Sequence, residues 1–65
     1  MTNPSKNSRE LPELLTVREV ARVLRLSRSK VYELVAARDL PALRPGGRLR
    51  VTVIAVREYL KRSEL

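Results

Sequence analysis

The chain has 65 residues, with fourteen Lys or Arg against seven Asp or Glu, a net charge of +7, and no His, Cys, Trp or Phe. So short a chain holds one domain with one small core, which leaves little room for an enclosed substrate pocket. The absence of thiol and imidazole removes zinc-finger, disulfide and His-dependent chemistry, so no metal or cofactor is expected.

The longest apolar run, Val53 to Val56, has four members, far short of the ~20 residues of a membrane span. Met1 to Glu10 lacks the apolar stretch of a signal peptide. A cytoplasmic domain is expected, without membrane association or a small-molecule ligand. Residues 1–13 are polar and charge-balanced, with Pro4 and Pro12 among them. They carry too little apolar surface to offset the entropy of ordering, which predicts a disordered N-terminal arm. Residues 14–65 then form the domain and carry the whole excess charge. Arg25 to Arg50 alone holds seven basic residues against Glu33 and Asp39. Charge concentrated in this way suggests a surface for a polyanion.

Thr16-Val-Arg-Glu19 has the spacing of a capping box and predicts the start of a first helix. Val17, Val20, Ala21 and Leu24 fall on one stripe of it, with Arg18, Arg22 and Arg25 on the other side. Ser27 is a good cap for a second helix, in which Val31, Leu34 and Val35 continue at helical spacing as far as Arg38. Two short amphipathic helices joined by about three residues form a helix-turn-helix. Leu40 to Arg44 and Arg48 to Val51, separated by Pro45-Gly46-Gly47, predict a two-stranded hairpin, or wing. Thr52 caps a third helix whose stripe is Val53, Val56 and Leu60, with Tyr59 at its edge and Lys61 and Arg62 at its C-terminus. The expected fold is mainly α with a small β-hairpin: a winged helix-turn-helix in the order helix, helix, hairpin, helix.

With its apolar side inward, the second helix presents Ser29, Tyr32 and Glu33, flanked by Arg28 and Lys30. A recognition helix reads base edges with residues near its N-terminus. Arg28 can bind guanine, Ser29 a base or phosphate, Tyr32 a phosphate or thymine methyl, and Glu33 a cytosine amino group. Ordinary solvated helix surface is the plainer alternative for Arg28 and Ser29. In the wing, Arg44, Arg48 and Arg50 surround Gly46 and Gly47, which lets them approach a narrow minor groove. They could equally be a charged edge that discourages strand pairing. Arg18, Arg22 and Arg25 are candidate phosphate contacts, which set affinity and not sequence choice. Ile54 projects away from the stripe of the third helix, as a lone exposed apolar residue or a protein contact.

Leu15-Thr-Val before the first helix, Ser27-Arg-x-x-Val-Tyr32 and the Gly46-Gly-Arg48 wing together resemble the excisionase-type DNA-binding family, winged-helix relatives of the MerR domain. The resemblance covers about fifty residues. It implies a non-catalytic recombination directionality factor that binds repeated sites on double-stranded DNA, associates head to tail, bends the duplex and biases an integrase toward excision. Thr52-Val-Ile54 departs from the Pro or polar residues often found there, and an exposed Ile54 could touch a neighbouring protomer or an integrase. A small MerR-like regulator that binds an operator without a recombinase uses the same contacts. An adaptor independent of nucleic acid would show only weak, salt-insensitive DNA affinity.

Overall fold

A computed structural model of the chain describes residues 11–65. Its elements, in chain order, are β1 (Leu14–Leu15), α1 (Val17–Leu24), α2 (Arg28–Ala36), a 3-10 turn (Pro45–Gly47), β2 (Val51–Thr52) and α3 (Val53–Arg62). Three hydroxyls start the three helices, as their spacing predicts. Thr16 Oγ1 accepts from the Glu19 N–H at 3.0 Å while Glu19 Oε1 accepts from the Thr16 N–H at 2.8 Å, completing the capping box. Ser27 Oγ accepts from Lys30 N–H at 3.0 Å, and Thr52 Oγ1 from Ala55 N–H at 2.9 Å.

The capping box makes α1 sensitive to pH. The hydrogen bond from the Thr16 backbone, and then the Thr16 hydroxyl, hold the Glu19 carboxyl below its ordinary value; desolvation opposes them, and Arg50 and Arg22 add smaller favourable contributions. A depressed folded-state pKa gives stability that is present above the unfolded value and lost as pH falls through the folded one. Wild type should therefore exceed Glu19→Gln in melting temperature at neutral pH, and the gap should close on acidification through the carboxylate range. A gap that does not change with pH would show that Glu19 acts by hydrogen-bond geometry alone.

Both α1 and α2 end in a Schellman motif with arginine in the left-handed position. Arg25 (φ 59) donates to the Arg22 carbonyl at 3.3 Å and Leu26 to Ala21 at 2.9 Å. Arg38 (φ 66) donates to Val35 at 3.1 Å and Asp39 to Leu34 at 2.9 Å. Glycine is the usual residue there, and a side chain in that conformation costs on the order of 1 kcal/mol. The left-handed turn stops α2 at Ala36, two residues before the Arg38 that apolar spacing suggests.

The sheet joins segments far apart in sequence. β1 and β2 pair antiparallel, Leu14 opposite Thr52 and Leu15 opposite Val51, which sets the N-caps of α1 and α3 side by side. The Glu13 carbonyl, within the expected arm, accepts from Val53 N–H at 2.9 Å; residues 1–10 of that arm lie outside the described residues. The expected hairpin narrows to one pair, Leu43 and Arg50, exchanging two N–H···O bonds of 2.8 Å. Pro41 has no N–H to donate, and Leu40 is drawn into the core with its own N–H bonded back to Leu34 at 3.2 Å. The first limb of the wing is thus free to pair only near the tip. There Gly46 (φ 64) and Gly47 (φ 85) both occupy the left-handed region with open space around them, so the turn selects glycine for its backbone and not for lack of room.

The core consists of Val17, Val20 and Ala21 from α1, Val31 and Leu34 from α2, Leu40, Val51, and Ala55 and Val56 from α3. Leu15, Leu24, Leu26, Val35, Leu49 and Tyr59 pack around it. Leu60, expected on the inner stripe of α3, is 45% exposed. The inner side of this helix centres on Ala55, Val56 and Tyr59, which places Leu60 at its margin. Arg62 Nη2 donates to the Asp39 carbonyl at 2.6 Å, and its guanidinium lies 5.9 Å from the Tyr59 ring centre, so the end of α3 holds the segment that leaves α2. Among the described residues no helix is long and apolar enough to cross a membrane.

Candidate nucleic-acid interface

The Ser27 cap fixes the first turn of α2, and Val31 and Leu34 anchor its inner side. Arg28, Ser29 and Lys30 are therefore held exposed at the helix N-terminus, with Tyr32 (53% exposed) one turn beyond Arg28. No acidic residue occupies this first turn. Cations at the positive end of a helix dipole are unfavourable by about 0.3–1 kcal/mol each. The helix also has no basic residue in its last turn, where one would be favourable. Stability alone would favour the opposite placement of charge; attraction of an anion favours this one.

In the wing, half-buried Leu49 fastens the second limb to the core, so that Arg44 and Arg48 stand on either side of the glycine turn. Arg50 is half-buried, and its Nη1 donates to the Leu49 carbonyl at 2.8 Å. One groove brings these parts together. It is lined by Thr16, Val17 and Arg18 from the start of α1, Arg28 and Tyr32 from α2, and Arg44, Arg48, Leu49 and Arg50 from the wing. Five guanidinium groups thus border one concavity that has no carboxylate in its lining.

Other predicted site residues lie outside that lining. Ser29, Lys30 and Glu33 occupy the exposed surface of α2, where Lys30 Nζ and Glu33 Oε1 are 3.5 Å apart. Such an exposed pair is worth a few tenths of a kcal/mol, but it tempers the repulsion Glu33 would offer to phosphates. Arg22 is exposed further along α1, and Arg25 caps it. Gly46 and Gly47 form the wing tip. Ile54 is 59% exposed near the start of α3, away from the groove. Arg38 was not among the predicted residues. Its only sequence signal is its place after a helix end, and the apolar spacing put that end two residues too late.

The chain matches the family described as Helix-turn-helix domain over residues 14–64. It is 46% identical over 50 residues to a protein named Excisionase from Streptomyces ambofaciens, an alignment spanning 77% of this chain and 81% of that protein. Two proteins of Mycobacterium tuberculosis named for DNA binding, one from each of two strains, are 47% identical over 51 residues, 78% of this chain and 65% of theirs. No solved structure matches the chain. With three helices among the described residues, a wing at the predicted place and these relatives over nearly all of its folded length, the chain belongs to the excisionase-type helix-turn-helix family of DNA-binding proteins.

Proposed function

We propose that the protein is a recombination directionality factor: it binds specific sites on double-stranded DNA, bends the duplex and biases an integrase toward excision, without catalysing a reaction itself. The observation that carries this reading is the five-arginine groove joining α2 to the wing, in a chain 46% identical to a protein named Excisionase. The N-terminus of α2 enters the major groove, where Arg28 reads guanine and Ser29, Lys30, Tyr32 and Glu33 meet neighbouring bases or phosphates. Arg44, Arg48 and Arg50 direct the wing toward the adjacent minor groove, whose narrowing in a bent duplex strengthens the attraction. Arg18, Arg22 and Arg25 neutralise phosphates beside α1. Ile54 meets a neighbouring protomer or the integrase.

The mycobacterial relatives, named only for DNA binding, fit a second reading, a small regulator that binds an operator without a recombinase. Footprinting across an attachment region, combined with an excision assay using the integrase encoded beside it, separates the two. The proposal predicts protection of repeated sites and excision that depends on added protein. Protection of a promoter operator, with excision unaffected by the protein, would favour the regulator.

A further inference from the structure

Arg38 stands outside the five-arginine groove, just past the C-terminus of α2, where the dipole favours a cation but the backbone does not favour a side chain. It holds the left-handed position that ends α2, where glycine would serve the same backbone bonds without strain. Among the described residues its side chain makes no hydrogen bond or ion pair, and it is exposed. It lines a second cleft, on the other side of the wing base, together with Val35, Leu40, Pro41, Leu43 and Arg44. Arg44 borders both concavities. The cations therefore form a continuous track from Arg28 and Arg48, past Arg44, to Arg38, and no acidic residue lines either concavity.

We propose that Arg38 is a DNA-backbone contact, taking a phosphate at the lip of the major groove while Arg28 works within it. This deepens the DNA-binding reading and rests on it. The nine residues of α2 span about 13.5 Å at 1.5 Å per residue, against a major groove ~8.5 Å deep and ~12 Å wide. A tilted helix of that length, entering by its N-terminus, brings its far end to the phosphates that border the groove. The apolar lining of the second cleft, Val35, Pro41 and Leu43, suits the deoxyribose beside that phosphate, and Arg44 on its rim reaches the next one.

The test uses the full chain, a 30-base-pair duplex of random sequence and one of preferred sequence selected from a random pool, with affinity read against salt concentration. Arg38→Gly should fold with a melting temperature no lower than wild type, because glycine is at ease in the left-handed position. It should bind both duplexes about threefold more weakly and lower the magnitude of the salt slope by about 0.9, as expected for one lost phosphate contact. Arg38→Lys keeps the charge in an equally strained position and should retain the wild-type slope. An Arg38→Gly protein with wild-type affinity and slope overturns the proposal while leaving DNA binding intact. A wild-type protein without salt-dependent binding to either duplex overturns the DNA reading and this proposal together.

Discussion

Leu40→Ala is expected to leave the protein largely unfolded at room temperature. Leu40 is fully buried and is one of the largest side chains with no exposure at all. Truncating such a leucine costs about 2–5 kcal/mol, depending on how far the site can collapse around the cavity. Native domains have about 0.05–0.15 kcal/mol of stability per residue, so the roughly fifty folded residues here have a total of the same order. The position matters as much as the volume. Leu40 lies where the chain leaves α2 for the wing, with its N–H bonded to Leu34, and it fixes α2 and the wing to one core. Circular dichroism in a denaturant titration should show reduced helical signal in the absence of denaturant. Leu40→Met, which nearly conserves volume, should cost under about 1.5 kcal/mol and stay folded. An alanine variant that unfolds within about 1 kcal/mol of wild type would remove Leu40 from its central place in the core.

Arg28→Ala is expected to move stability and binding in opposite directions. Removing a cation from the N-terminus of α2 should raise folding stability by a few tenths of a kcal/mol, because the dipole there disfavours positive charge. On a preferred DNA site the same change should cost about 1–3 kcal/mol and narrow the gap to random DNA, as loss of a bidentate guanine contact does. Chemical denaturation and parallel binding titrations on the two DNAs check both halves. Equal loss on the two would make Arg28 a phosphate contact, and loss of stability would contradict the electrostatic argument for its position.

The parts of the fold legible in the sequence are those governed by local chemistry. The caps at Thr16, Ser27 and Thr52, the inner residues of α1 and α2, and the glycine turn of the wing all follow from spacing and from the backbone needs of single residues. What the spacing did not contain is set by distant partners. β1 has two residues, too few for any alternation, and it exists because β2 arrives beside it. The wing narrows to one bridging pair because Leu40 is claimed by the core, which alternation within the wing does not reveal. Leu60 is exposed because the buried side of α3 centres on Ala55, Val56 and Tyr59. For the candidate interface, the sequence offers the cationic residues of α2 and the wing as candidates. It did not show that Arg18 joins Arg28, Tyr32, Arg44, Arg48 and Arg50 around one groove, nor that Arg38 is held in the left-handed conformation at the end of α2.

The central claim is that this groove is built for the DNA backbone and the grooves beside it. Affinity of the wild-type chain for a 30-base-pair duplex, measured by fluorescence anisotropy from low to physiological salt, tests it most directly. With the five groove arginines each displacing about one counterion, and Arg22, Arg25 and Arg38 adding up to three more, the logarithm of the binding constant should fall linearly with the logarithm of salt concentration, with a slope between about −4 and −7. A slope shallower than about −1, or no binding at low salt, would contradict it.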